Sequence, residues 1–230
     1  MCGRFTLSTD TQKIAEVFRL GHLPVIGPRY NIAPTQPVAC VRIPAADGER
    51  RLEHLQWGLV PPWASRPDVG ASMINARSET IDSKPAFKHA FRRRRCLIVA
   101  DGFYEWEKIG RNRRPHYIAL ESGEPFGFAG IWEHYQDEHG SELETCAIIT
   151  CGANELLAPL HHRMPVILPP DVHDAWLDPE REDVAALRAM LGPFPQARMQ
   201  RHLVGPQVNR VGNDDPSCIE PVESEWLFGA

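Results

Sequence analysis

Between residues 38 and 150 the chain runs through seven short segments, 38–43, 51–59, 72–76, 96–106, 115–120, 126–133 and 143–150. Each is apolar or alternating, and Gly, Pro or Asp punctuates them, the pattern of strands separated by turns. Helical spacing occurs at 8–19, 83–92, 152–159, 171–177 and 180–191. In the first of these, cap-type residues precede Ile14, Ala15, Val17 and Phe18. The irregular intervals exclude the strand-helix alternation of a doubly wound sheet. The expectation is therefore an α+β fold: a curved, partly closed, mainly antiparallel sheet with peripheral helices. Four prolines and two glycines between Gly21 and Pro37 predict an ordered loop for Arg29-Tyr30-Asn31-Ile32-Ala33-Pro34.

A chain of 230 residues, 43% hydrophobic, can bury one substantial core. With no repeat and no linker, residues 1–230 read as a single domain, the last residues from about 223 being loosely held. No apolar run approaches the roughly 20 residues of a membrane span, and the N-terminus lacks a secretory pattern, so a cytoplasmic location is expected. The six cysteines are scattered without close pairs, as free thiols in a reducing compartment would be. His161 and His162 with Cys146 and Cys151 lack metal-ligand spacing, and adjacent histidines point apart on a strand. Neither a metal nor a cofactor is expected. Residues 1–115 carry 19 Lys+Arg against 11 Asp+Glu, a net of +8; residues 116–230 carry 6 against 19, a net of −13. A basic half on a chain of net charge −5 favours a polyanionic partner without naming one, solvated faces being the plainer alternative.

Four segments carry chemistry. Met1-Cys2-Gly3-Arg4-Phe5 places a cysteine where methionine removal exposes it. Thiols titrate near 8.5 and α-amines near 7.7–8.0, so both groups of an N-terminal cysteine are reactive near neutrality. The amine condenses with an aldehyde to an imine, and the thiol closes on it to a thiazolidine. On its own, Cys2 reads more plainly as an incidental residue on a frayed end. Asn75 and Arg77 share a side of Ile74-Asn75-Ala76-Arg77-Ser78-Glu79-Thr80 if that segment is extended. Glu105 shares a face with Phe103 in Asp101-Gly102-Phe103-Tyr104-Glu105-Trp106, and a carboxyl held against aromatics has a raised pKa suited to proton transfer. In His161-His162-Arg163-Met164-Pro165 a histidine titrating near neutrality adjoins an arginine. Trp57 and Trp63 lie in a turn-rich stretch; either stacks on bases if exposed, or belongs to the core.

Together with Tyr30-Asn31-Ile32-Ala33-Pro34, Trp57-Gly58-Leu59-Val60-Pro61 and Val208-Asn209, these segments resemble the SRAP family of SOS-response-associated peptidases, or abasic-site processing proteins. Their order along nearly the whole chain makes the resemblance specific. It implies that Cys2, after Met1 removal, captures the aldehyde of an abasic site in single-stranded DNA as a thiazolidine. It also implies that Asn75 holds the N-terminal group, Glu105 serves as acid–base group, and His161 assists proton transfer at the sugar. By the same resemblance Arg4, Arg77 and Arg163 clamp phosphates, Trp63 stacks on a base, and Met1 is released by a Cys2-dependent reaction. Lyase-like strand scission is an accompanying expectation, and the protein is expected to act as a monomer. Two other functions compete: a thiol peptidase acting on other proteins through Cys2, His161 and Asn75, and a non-catalytic single-strand-binding module. The run Arg92-Arg93-Arg94-Arg95 reads equally as phosphate attraction or a solvated face.

Overall fold

The computed structural model describes residues 2–44 and 48–223; Met1 and the expected loose tail beyond Glu223 lie outside the described residues. The strands are β1 (Phe5–Leu7), β2 (Arg29–Ile32), β3 (Pro37–Arg42), β4 (Arg51–Trp57), β5 (Asn75–Arg77), β6 (Arg95–Ala100) and β7 (Gly102–Ile109). They continue as β8 (Asn112–Leu120), β9 (Phe126–Gln136), β10 (Glu142–Gly152), β11 (Arg163–Pro165), β12 (Ile167–Leu168) and β13 (Met199–Leu203). Four short helices, α1 (Thr11–Phe18), α2 (Lys88–Arg93), α3 (His173–Leu177) and α4 (Val184–Ala189), stand among them.

The larger sheet closes on itself. β3 pairs antiparallel with β4 and β6, β6 antiparallel with β9, β9 antiparallel with β10, and β10 parallel with β4, which completes a ring of five strands. Among the described residues only the β4–β10 and β5–β10 pairings are parallel, so the sheet is mainly antiparallel and partly closed, as expected. Closure needs residues that fit a curved, doubly buried wall: β6 is buried along its whole length, as is most of β9 and β10.

The second sheet, ordered β13-β8-β7-β1-β2, lays one face on the ring and shares its core. Phe5 meets Trp57 edge to face at 5.1 Å and Phe128 at 5.8 Å. The opposite face carries Tyr104 and Tyr117, covered by Val204, Val208 and Cys218. Close approach here requires Gly102, because a Cβ at that position would lie 2.1 Å from the Tyr117 hydroxyl oxygen.

Several elements differ from the sequence expectation. Residues 96–106 form two strands, because Asp101 leaves the ladder to accept from the backbone N–H groups of Ser8 and Thr9 and the hydroxyl of Thr6. Arg29–Ile32 is a strand, not a loop: it pairs with β1, and the Asp214 carboxylate accepts from the N–H groups of Tyr30 and Asn31. The helix expected at 152–159 is absent: Gly152 ends β10 and residues 155–160 form turns, since Pro159 cannot supply the N–H that would continue a helix.

Candidate active site

The second residue is anchored before any chemistry is considered. Thr6 and Ser8 are tied to Asp101, the Arg4 carbonyl accepts from the Tyr104 N–H at 3.0 Å, and Phe5 is seated between Trp57 and Phe128. Cys2 is consequently buried, at 0% exposure, rather than frayed. Its Sγ lies 4.0 Å from the Arg4 carbonyl.

Asn75 meets it from the ring. β5 pairs with β10 so that Asn75 stands opposite Ile148, and the Trp57 indole N–H donates to the Ile74 carbonyl at 2.9 Å. The segment leading to β5 folds back tightly, Gly58 at φ +133° approaching Gly70 where a Cβ would sit 2.6 Å from its carbonyl oxygen. From that position Asn75 Nδ2 donates to the Cys2 carbonyl at 2.8 Å. Among the described residues, nothing donates to its buried Oδ1, which leaves an acceptor beside the N-terminal residue.

Glu105 approaches from β7, on the face it shares with Phe103, and is 4% exposed. Burial raises its carboxyl pKa. Burial likewise pushes the Cys2 thiol well above its ordinary range, with the nearby Glu105 charge acting in the same direction. His161 precedes β11, which pairs with the end of β10 at Gly152 and Thr150. Its Nδ1 accepts from the Arg163 N–H at 3.0 Å, and burial lowers its pKa. The site thus holds a thiol that burial keeps protonated, a carboxyl whose pKa burial raises, and an imidazole whose pKa burial lowers, a set able to shuttle protons. Cys2, Asn75 and Glu105 are brought together.

The arginines have separate fates. Arg77 is exposed and has no ion-pair partner among the described residues. Arg163, expected to face a phosphate, is instead 9% exposed, with both guanidinium ends on Glu79 at 2.9 Å and further bonds to Thr150. Arg4 is turned inward in the same way: its Nη1 donates to Asn31 Oδ1 at 2.6 Å and the Val208 carbonyl at 2.8 Å. Asn31 in turn donates to the carbonyls of Val208, Arg210 and Asn213, joining the chain's beginning to residues near its end.

Six arginines of the basic first half pair with carboxylates of the acidic second. Arg19 and Arg50 meet Asp174, Arg29 meets Asp214, Arg42 meets Glu144, Arg93 meets Glu182 and Arg94 meets Glu133. The four-arginine run is divided between surface and interior. Arg95 is buried and donates to the carbonyls of Phe91 and Trp176, its pKa lowered by burial to about 10, and only Arg92 and Arg93 are exposed. Trp57 belongs to the core, whereas Trp63 is 66% exposed. Trp63 stands on a groove of about 870 Å³ with Arg92, Arg93 and Trp132, and none of Cys2, Asn75, Glu105 and His161 lines it.

His161 and His162 do not point apart. The backbone bends between them, and the rings stack with centroids 4.3 Å apart at 27°. No cluster of three or more His, Cys, Asp or Glu suited to a metal ion occurs among the described residues. Sequence reasoning gave no role to Asp101, Asn31 and Asp214, whose partners lie 27 to 185 residues away in sequence. It also missed Glu79, although Glu79 sits within the same motif as Asn75 and Arg77.

Comparison with known proteins bears on this arrangement. The profile of the SOS response associated peptidase (SRAP) family matches residues 1–211. Abasic site processing protein YoqW of Bacillus subtilis is 40% identical over 225 residues, covering 96% of this chain and 99% of that protein. Abasic site processing protein YedK of Escherichia coli is 31% identical, with 96% and 100% covered. A crystal structure of a protein from Bacteroides thetaiotaomicron superposes with a TM-score of 0.85 at 25% identity, over 96% of this chain and 100% of that one. The chain belongs to the SRAP family.

Proposed function

We propose that this protein processes abasic sites in single-stranded DNA, with Cys2 as the residue that bonds to the lesion. The observation that carries the reading is the hold on residue 2: the Asn75 amide grips its carbonyl while the buried Glu105 carboxyl stands beside its thiol. Once Met1 is gone, the α-amine of Cys2 adds to the C1′ aldehyde of the ring-opened sugar. The carbinolamine loses water to an imine, with Glu105 supplying the proton that leaves with the hydroxyl. The thiol then adds across the C=N bond, its proton passing to nitrogen, and a thiazolidine results.

The raised thiol pKa supports this order, since a protonated thiol is a poor first nucleophile and the cationic imine formed beside it lowers its pKa. If ring closure lags, loss of the C2′ proton and departure of the 3′ phosphate give lyase-like scission. Hydrolysis of the Met1-Cys2 bond by the same site accounts for the peptidase in the family description. Arg77 is the phosphate contact of this reading, while Arg4 and Arg163 hold the framework. The printed function of the relatives, abasic site processing, points the same way. Six free thiols accord with work in a reducing cytoplasm.

The test is intact mass after mixing with a single-stranded oligonucleotide bearing one abasic site. A denaturation-stable species heavier by the oligonucleotide minus one water is expected. Only non-covalent binding would sink the reading in favour of a single-strand-binding module.

A further inference from the structure

Beyond Glu105 the β7–β8 hairpin carries charge that the reaction as derived does not use. Residues 107–114 hold Lys108, Arg111, Arg113 and Arg114 against one carboxylate, Glu107, a net of +3. Glu107 is already engaged: it accepts from His116 Nε2 at 3.2 Å and meets Arg114 at 3.1 Å. Successive residues of a strand face opposite sides, so Glu107 stands on the other face from Lys108. Lys108, Arg111 and Arg113 are exposed, and among the described residues none of their side chains makes an ion pair or a hydrogen bond. Lys108 and Arg113 are direct partners in the β7–β8 ladder, on the face that carries Tyr104 and Tyr117. Like charges set opposite each other in a sheet repel and destabilise it. Gly110, at φ +59°, makes the two-residue turn between Ile109 and Asn112 and leaves Arg111 exposed at the tip. Other arginines of the basic half meet carboxylates across the fold, whereas these three cations keep their mutual repulsion.

We propose that the end of the β7–β8 hairpin is a phosphate-binding surface, on which Lys108, Arg111 and Arg113 hold the backbone of the single strand to one side of the lesion. This rests on the reading of Cys2 as the residue that bonds to an abasic site. The strand that leads to this surface is the one that carries Glu105, and Lys108 lies three residues along it, about 10 Å at the rise of a β-strand. That distance is about three nucleotides of stacked strand, so a lesion held at Cys2 brings flanking phosphates within reach. A phosphodiester placed between Lys108 and Arg113 turns one repulsion into two attractions, which Glu107 on the opposite face does not do. Phosphate contacts carry no sequence information, so the surface adds affinity without base preference. Arg77 stands on β5 of the larger sheet, and the hairpin holds the strand from the second sheet.

The experiment compares wild type, the triple variant Lys108→Gln/Arg111→Gln/Arg113→Gln and the charge-keeping Lys108→Arg/Arg113→Lys in the full chain. Affinity for a single-stranded oligonucleotide carrying a central, unreactive tetrahydrofuran abasic analogue is measured across salt concentrations. Single-turnover adduct formation is followed with the abasic oligonucleotide. Each phosphate contact contributes about 0.7 to the log–log salt slope of a single strand, so the triple variant is expected to lose about 2 from it. At salt on the order of 0.1 M this weakens affinity about 10- to 100-fold. Saturating oligonucleotide should restore most of the adduct rate. The charge-keeping variant should retain the wild-type slope. With oligonucleotides cut back to a single nucleotide on the 5′ or the 3′ side of the lesion, the difference between wild type and triple variant should vanish for one cut and persist for the other.

A slope changed by less than about 0.5 in the triple variant would overturn the proposal and leave the three cations as a solvated hairpin end. So would an equal loss in the charge-keeping variant, or a difference that survives both cuts, which would mean general attraction rather than a flanking contact. Melting temperature separates these results from misfolding: removing opposed cations should leave it no lower than in wild type, and a marked drop would refute the repulsion on which the proposal stands. Absence of any adduct with the wild-type protein would instead refute the reading of Cys2. The salt slope and the cut oligonucleotides, both read on the unreactive analogue, would still decide the role of the hairpin.

Discussion

Removing the Asp101 carboxylate should unseat the N-terminal strand and, with it, Cys2. Asp101 is 8% exposed and accepts from five donors: the hydroxyl of Thr6, and the backbone N–H and hydroxyl of both Ser8 and Thr9. In Asp101→Ala the Thr6 hydroxyl still finds the Gly102 carbonyl and the Tyr117 hydroxyl, each at 3.2 Å, so its loss is about 1 kcal/mol. The two N–H groups are half-buried and lose a charged acceptor, at about 1 kcal/mol each after partial hydration. The sum is about 3 kcal/mol, or about 9 °C in melting temperature for a chain of this size. Asp101→Asn keeps one oxygen for the N–H groups and turns its amide toward Thr6, so about 1 kcal/mol is expected. Denaturant unfolding measures both, and single-turnover adduct formation reports whether Cys2 has lost its place. A loss below about 1 kcal/mol in Asp101→Ala, or equal losses in the two variants, would refute the anchoring role.

Three other perturbations separate the remaining side chains. Because burial raises the folded-state pKa of Glu105, wild type loses stability as pH rises from the unfolded carboxylate pKa through the folded one. Glu105→Gln should therefore be the more stable protein at pH 8 and lose that advantage by pH 4, while forming adduct slowly; parallel stability curves would remove the buried-carboxyl argument. Arg163→Ala should cost about 2 kcal/mol by removing the buried guanidinium's bonds to Thr150 and its bidentate pair with half-exposed Glu79, whereas Arg77→Ala should leave stability unchanged and flatten the salt dependence of DNA capture. Equal melting temperatures for these two variants would contradict the inward placement of Arg163. Cys2→Ser should yield an imine trapped by borohydride but no heat-stable adduct, and a heat-stable adduct from it would rule out ring closure by the thiol.

Local chemistry was legible where it was local. Cys2, Asn75 and Glu105 could be picked out because a nucleophile, an amide and a carboxyl each sat in a distinctive run, and the structure brings them together. The long apolar strands β6, β9 and β10 were legible for the same reason. The three-residue strands β1, β5 and β11 are too short for a period to show, and their existence depends on partners rather than composition. Arg163 looked like a surface cation because nothing nearby in sequence signals that Glu79, 84 residues earlier, takes up its guanidinium. The charge asymmetry showed in composition alone, whereas the pairing of several of its opposite charges across the fold did not.

The stitch made by Asn31 between Arg4 and residues 208–213 also orders events in time. A chain emerges from the ribosome N-terminus first. Cys2 is among the first residues made, but Glu105, His161 and Val208 follow after nearly half, seven-tenths and nine-tenths of the chain respectively. The Arg4 bond to the Val208 carbonyl cannot form until that last portion has been synthesised. A nascent chain therefore carries Cys2 before the side chains that surround it in the fold, and on the proposed reading a half-made protein lacks the assembled site that would bond to DNA.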